Sequence, residues 1–331
     1  MKVLFIGGTG IISSAVSALA VERGIELFLY NRGQRSEFVP KGATVIKGDV
    51  KDKAKLLKGK EFDVVVDWLA FVPGDVRTDI EIFKGNVGQY IFISSASAYQ
   101  KPPTHWLTDE STPLTNPYWQ YSRDKIACEE MLMAEYRESG FPVTIVRPSF
   151  TYGDTMIPAA INSWPKPWTL IDRMRRGKKV VIHGDGATLW VMTHNTDFAK
   201  GFVGLLGNTQ AIGHAFGITS DEVLTWNQVY KAIADAAGAE VNPVYIPSDY
   251  IAKYDAEYEG PLLGDKSWCT VFDNSKIKRF VPGFVATVPF AQGIKRTINW
   301  FEAHRQSCGI DEEFNKFMDT LIDTYEGKTH K

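Results

Sequence analysis

Cysteine is scarce in this chain of 331 residues: Cys128, Cys269 and Cys308 are its only three. Three scattered thiols cannot all pair and do not cluster as metal ligands do, so free thiols in a reducing cytoplasm are expected. Charge of one sign is equally short, with 37 Lys and Arg against 39 Asp and Glu for a net charge of −2. That balance leaves no footprint for nucleic acid or an anionic membrane surface, although a local basic patch stays open. No apolar run approaches the ~18 residues of a membrane-spanning helix. Apolar residues begin at Val3 and run straight into glycine, without the charged lead and cleavage site of a secretion signal. Internal repeats, low-complexity tracts and flexible linkers are missing too. His105, His183, His194, His214, His304 and His330 show no metal-ligand spacing, and no metal is expected. What remains is an ordinary globular composition, 44% hydrophobic and 23% charged. A chain this long can bury about three quarters of its unfolded surface, as one large domain or two intimate ones.

Val3-Leu4-Phe5-Ile6 is a continuous apolar run, as expected of a strand buried on both faces of a parallel sheet. Gly7-Gly8-Thr9-Gly10 follows at once, and then a helix pattern through Ile11, Ala15, Ala18 and Val21. Strand, glycine turn and helix in that order let the backbone approach a pyrophosphate held by the amides and dipole of the helix start. The third glycine of the usual dinucleotide fingerprint falls at Ser13, which is small enough to keep the helix close. A second strand, Glu26 to Tyr30, ends in Asn31-Arg32-Gly33 where an acidic residue would select NAD. Arg32 can pair with a 2′-phosphate and stack on adenine, which favours NADP(H). Asn31 can hydrogen-bond a free ribose hydroxyl, so NAD stays open. Further strands are expected at Ala43–Ile46, Asp63–Asp67, Gln89–Ile93 and Val143–Val146, the last stopped by Arg147-Pro148. Asp49, after the third strand, either caps the next helix or sits beside adenine. Strands alternating with helices give an α/β, Rossmann-type doubly wound parallel sheet whose ligands lie at the strands' carboxyl ends.

Tyr121-Ser122-Arg123-Asp124-Lys125 sets a phenol and an ammonium one helical turn apart on one face. A fixed cation draws a phenol down from its usual pKa of about 10. A phenol so tuned can exchange the proton of a hydroxyl/carbonyl pair while a hydride moves. Ser95, just past the fifth strand, can hydrogen-bond the same substrate oxygen. Cys128 shares the face of Tyr121, Lys125 and Leu132, where packing is the expected role.

Gly7-Gly8-Thr9-Gly10, Gly48-Asp49, Leu69-Ala70, Ser94 to Tyr99, Tyr121 to Lys125 and Arg147-Pro148 together resemble the extended short-chain dehydrogenase/reductase family of nucleotide-sugar epimerases and dehydratases. The likeness runs to about residue 300. It implies a catalytic set of Ser95, Tyr121 and Lys125, with Lys125 also holding the nicotinamide ribose. The glycine turn, the strand ends and the resemblance together give the candidate cofactor contacts Gly7, Gly8, Thr9, Gly10, Ile11, Ile12, Asn31, Arg32, Asp49, Val50, Leu69, Ala70, Phe71, Tyr121, Lys125 and Pro148. Departures from the family matter as much. Ala96 and Ser97 stand where dehydratases carry an aspartate and a glutamate for elimination. Trp190, four residues after the Gly184-Asp185-Gly186 turn, and Leu262-Leu263, before Gly264-Asp265, stand where arginines clamp a substrate diphosphate. Lys178, Lys179, Lys278 and Arg279 are other candidate cations.

The second half brings aromatics and prolines together, as in Ser149-Phe150-Thr151-Tyr152 and Trp164-Pro165-Lys166-Pro167-Trp168. Such residues suit either the carbon face of a ligand or the core of a small domain. Candidate substrate contacts are Ser97, His105, Phe150, Tyr152 and Trp190. Helices are expected at Leu170–Arg176, with Arg173, Arg175 and Arg176 as a solvated basic face, and at Asp197–Leu206, Thr225–Ala237, Asn274–Arg279 and Val288–Phe301. Tyr250–Gly264 reads as an acidic, aromatic loop or broken helix, a candidate lid. Asp311–Tyr325 reads as a helix docked through Phe314, Phe317, Met318 and Leu321. The expected domains are a dinucleotide-binding part, 1–165 plus roughly 194–222, a smaller α/β substrate part, roughly 166–193 and 223–310, and a helical tail, 311–331. The resulting expectation is a cytoplasmic NAD(P)-dependent oxidoreductase for a small sugar-like or aromatic substrate. An epimerase with tightly bound NAD and a non-catalytic RNA-binding relative are the alternatives. A homodimer through the Tyr121 helix is what the family resemblance implies.

Overall fold

The computed structural model describes residues 1–328; His330 and the last three residues of the expected tail lie outside the described residues. Its centre is a parallel sheet of seven strands: β1 (Lys2–Ile6), β2 (Glu26–Asn31), β3 (Thr44–Lys47), β4 (Phe62–Asp67), β5 (Val87–Ile93), β6 (Val143–Pro148) and β7 (Ala215–Ile218). They lie side by side in the order β7-β6-β5-β4-β1-β2-β3. The order reverses between β1 and β4, which opens a crevice at their carboxyl ends. Helices in chain order are α1 (Ile11–Glu22), α2 (Lys53–Leu57), α3 (Pro73–Phe83), α4 (Gln120–Ser139), α5 (Trp168–Arg175) and α6 (Asn195–Val203). After them come α7 (Trp226–Ala237), α8 (Ser248–Tyr254), α9 (Ser275–Phe280), α10 (Phe290–Ala303) and α11 (Glu312–Tyr325).

Alternation along the strands decides which helices cover which face. Val3 and Phe5 of β1 join Val16 and Ala20 of α1 and Phe198 and Phe202 of α6 in one core. Leu4 and Ile6 join Val76 and Phe83 of α3 and Cys128 and Leu132 of α4 in another. Both faces of the central strands β1, β4, β5 and β6 are therefore covered, whereas the edge strand β3 is largely exposed. A third core, including Ile171, Trp190, Trp226, Ile233, Ile294 and Leu321, holds the second half together. Short two-stranded pairs connect it: 150–152 with 192–194, and 180–183 with 243–246.

Several expectations need correction. The sixth strand does not stop before Arg147; it continues through Pro148, which lies opposite Ile218 of β7. Strand β7 itself, Ala-Phe-Gly-Ile, is too short and glycine-broken to stand out in the sequence. Arg173 is no solvated cation: it is 0% exposed, and its guanidinium meets Asp319 at 2.5 Å and Asn315 Oδ1 at 3.0 Å. It anchors α11, whose Met318 and Leu321 are fully buried. Segment 250–264 is α8, a 3-10 turn (Ala256–Tyr258) and a π-helix (Glu259–Lys266). Gly260 and Gly264 of that π-helix press on Trp119, just before α4; a Cβ on Gly260 would stand 2.2 Å from Trp119 Cδ1.

Candidate active site

The turn after β1 is built for close approach. Gly7 and Gly8 have φ of 103° and 95°, a region L side chains rarely adopt, and a Cβ on Gly8 would lie 2.6 Å from Leu29 Cδ2. Ser13, the departure from the fingerprint, accepts a hydrogen bond from Gly10 N at 2.8 Å, and Ser17 Oγ donates to Gly8 O at 2.8 Å. Both serines pin the turn to the start of α1. In front of it opens a cavity of about 550 Å³, lined by Gly7, Gly8, Thr9, Gly10, Ile11, Ile12 and Ser13 at this end.

At the end of β2 the lining is Tyr30, Asn31, Arg32, Gly33, Gln34 and Arg35, with Gly48 and Val50 opposite. Asn31 Oδ1 accepts from Gly33 N at 2.8 Å, while its buried Nδ2 has no partner among the described residues. Arg35 lies over the Phe38 ring at 4.3 Å and adds a second guanidinium beside Arg32. Sequence reasoning passed over Arg35, although an arginine three residues after Arg32 was a readable signal. Asp49 is not in the lining; its carboxylate caps a short 3-10 helix by accepting from Lys51 N at 3.1 Å. The capping alternative is the one its geometry supports.

Tyr121, Lys125 and Ser95 meet in the same cavity, across from Leu69 and Phe71. Lys125 Nζ donates to Ala70 O at 2.7 Å and to Ile93 O at 2.8 Å, with the Phe71 ring 4.5 Å away. Ala70 thus contributes its carbonyl and is absent from the cavity lining. Burial lowers the Lys125 ammonium to about 8. Tyr121 runs against the expectation. Its phenol is raised above the usual value by burial, with Asp265 adding to the rise and the Ser95 hydroxyl pulling the other way. The ammonium that was to lower it is held by two carbonyls and stands 5.8 Å from the centre of the tyrosine ring.

Ser95 is fixed from behind. Its Oγ lies 2.9 Å from Ser97 Oγ and accepts from Ser97 N at 3.2 Å, and Ser122 Oγ donates to Ser97 Oγ at 2.7 Å. Neighbouring Ser94 is hydrogen-bonded to Glu129, which is itself forked onto Arg147 at 3.0 and 2.6 Å. Tyr121, Lys125 and Glu129 follow one another at four-residue steps along α4, so one helix face serves the cavity and its support.

Pro148 and Phe150 line the cavity; Ser97, His105, Tyr152 and Trp190 do not. Ser97 is buried behind Ser95, and His105 is exposed and stacked on Trp106. Tyr152 is packed between His194 and Phe290, and Trp190 against Trp226. Ser149, Thr151 and Trp164, from the two stretches read as a ligand wall or a domain core, complete the wall with Trp68, Ile93, Ser94 and Met156, which were not among the candidate contacts. Trp164 is 71% exposed even so. Of the other candidate cations, Lys178 pairs with Asp319, Lys179 with Glu326 and Lys278 with Asp221 at the surface, and none of the four, Arg279 included, lines the cavity. Among the described residues no group of three or more His, Cys, Asp or Glu could hold a metal ion. Nor, among them, is any helix long and apolar enough to cross a membrane.

The sheet order, the positive-φ glycine turn on a helix start and the cavity at the switch point define a Rossmann-type α/β protein. A dinucleotide fits the residues present: the glycines leave room that side chains would fill, and Asn31 Nδ2 lacks a partner. A model of the NAD dependent epimerase/dehydratase family matches residues 3–218, and the chain belongs to that family. Similar proteins include a 2′-dehydrokanamycin reductase of Streptomyces kanamyceticus, 25% identical over 86% of this chain and 80% of the reductase. A chloroplast stem-loop binding protein of 41 kDa from Arabidopsis thaliana is 26% identical over 72% of this chain and 63% of its own length. Among solved structures, UDP-glucuronic acid 4-epimerase from Bacillus cereus in complex with NAD superposes with a TM-score of 0.73 at 18% identity, covering 93% of this chain and 98% of that one. That epimerase holds NAD in its complex and shares the fold of this chain.

Proposed function

We propose that this chain is an NAD(P)-dependent oxidoreductase, NADP(H) being favoured, that acts on the secondary alcohol or ketone of a small sugar-like or aromatic molecule without a nucleotide handle. The observation that carries this reading is that Ser95, Tyr121 and Lys125 share one cavity with the glycine turn and with Arg32 and Arg35. A nicotinamide held in this cavity would supply or take the hydride. Tyr121, kept as a neutral phenol by burial, gives its proton to the substrate oxygen in reduction; in oxidation it is the phenolate form that takes the proton of the alcohol. Ser95, immobilised through Ser97 and Ser122, orients that oxygen. Lys125, anchored on Ala70 O and Ile93 O, presents its charge to the nicotinamide ribose. Arg32 and Arg35 take the 2′-phosphate. A reductase among the relatives supports hydride transfer to the substrate. Buried Trp190 and Leu262, in place of guanidiniums, support a substrate without a diphosphate. We assign residues 1–165 with 194–222 to cofactor binding, the remainder up to 310 to substrate binding, and α3 with α4 to a homodimer contact in the cytoplasm.

Replacing Tyr121 with Phe tests the assignment. Turnover should fall by roughly 10²- to 10⁴-fold, while NADPH affinity is unchanged. Unchanged turnover rejects the role given to Tyr121.

A further inference from the structure

Lys101 follows the loop that carries Ser95, is 3% exposed, and among the described residues its ammonium makes no hydrogen bond. Burial draws its ammonium below the usual lysine value, and the Asp265 carboxylate acts against that fall. Asp265 is already engaged: Lys266 Nζ lies 3.1 Å from its Oδ2. Lys266 is 8% exposed, with Phe150 at 5.2 Å, Trp119 at 5.9 Å and Trp190 at 6.0 Å from its ammonium. Two enclosed cations therefore feel a single carboxylate, and only Lys266 is in contact with it. A buried charge without a partner is costly and calls for an opposite charge.

Neither lysine is part of the cavity lining, and the links from this cluster to the reacting groups run through Asn116, Phe150 and Trp119. Asn116 Nδ2 donates to Ser97 O at 2.8 Å and to Gly264 O at 2.7 Å, tying the Ser95 loop to the residue before Asp265. Phe150 belongs to the cavity wall, and the Trp119 ring lies 4.9 Å from that of Tyr121. We propose that Lys101 and Lys266 form, beside Tyr121, the subsite for an anionic oxygen group of the substrate, a carboxylate or a phosphate monoester. This rests on the oxidoreductase reading and narrows it: the substrate is a sugar acid or sugar phosphate type of molecule, with Phe150 and Trp119 against its carbon skeleton. Asp265 keeps Lys266 charged and in place.

The test uses the full chain saturated with NADPH, melted in the presence of inorganic phosphate, D-glucuronate or D-glucose, beside the Lys101→Met and Lys266→Met variants. At least one of the two anions should raise Tm and glucose should not. Lys101→Met should weaken the anion response about tenfold or more and leave NADPH affinity intact. A response to phosphate alone identifies a phosphate monoester, and one to glucuronate alone a carboxylate. No response to either anion, an equal response to glucose, or an undiminished response in Lys101→Met overturns the proposal. If wild-type protein fails to bind NADPH, the cofactor reading falls. The anion subsite is then judged by comparing wild type with Lys101→Met without cofactor.

Discussion

Lys125 gives up its proton more readily than a solvent-exposed lysine because burial penalises its charge and two carbonyls replace water only in part. With its ammonium at about 8, the charge offered to the cofactor ribose disappears as pH rises through that value. The pH profile of kcat/KM, which reports the free enzyme, should therefore fall on its alkaline side near pH 8. Lys125→Met should be slow at every pH, without that limb. A wild-type profile flat to pH 10 would contradict the role of the ammonium. The linkage to stability has the opposite sign: the folded pKa lies below the unfolded one, so stability gains from this group as pH climbs from about 8 towards 10.5. That Ser95, Tyr121 and Lys125 come together in one cavity was readable in the sequence, because strand end and helical turn place them by local geometry. The place of Asp265 was not, because only the fold brings it within electrostatic reach of Tyr121 and Lys101. The direction of the Tyr121 shift was misjudged for the same reason, since the acceptors that hold Lys125 come from residues 70 and 93.

Elements around the cavity are locked by a buried cluster that no local pattern announces. Lys53 of α2 meets Asp79 of α3 at 2.5 Å and Asp67, at the end of β4, at 3.2 Å; Tyr90 of β5 donates to Asp79 at 2.7 Å. Asp67 also accepts from Leu69 N at 2.6 Å and so shapes the segment 68–71 that faces Tyr121. Burial and the neighbouring Asp67 push the Asp79 carboxyl well above its ordinary range. Lys53→Met strands buried carboxylates and should cost about 3–5 kcal/mol in chemical denaturation. Asp79→Asn keeps an acceptor for Tyr90 and removes the like charge, so it should change stability by about 1 kcal/mol or less. Equal losses in the two variants would refute this division of roles. Six of the seven sheet strands were legible from short apolar runs, and β7, broken by Gly217, was not. The π-helix at 259–266 was not, because its form follows from seating Gly260 and Gly264 on Trp119.

At the scale of the whole molecule, the first 150 residues and the tail obey patterns visible in the chain, whereas the second half is assembled by long-range contacts. Arg173 shows the difference. Its spacing beside Arg175 and Arg176 reads as a wet face, yet docking of α11 dries it and supplies Asn315 and Asp319 as partners. The central claim is that the crevice between β1 and β4 is a nicotinamide dinucleotide site with a 2′-phosphate end. Fluorescence titration of the full chain with NADPH and NADH, repeated on the Arg32→Ala, Arg35→Ala double variant, tests it most directly. The account predicts one site per chain, tighter binding of NADPH than of NADH, and loss of about tenfold or more of that preference in the variant. Absence of binding by either dinucleotide, or an NADPH preference that survives removal of both arginines, would contradict it.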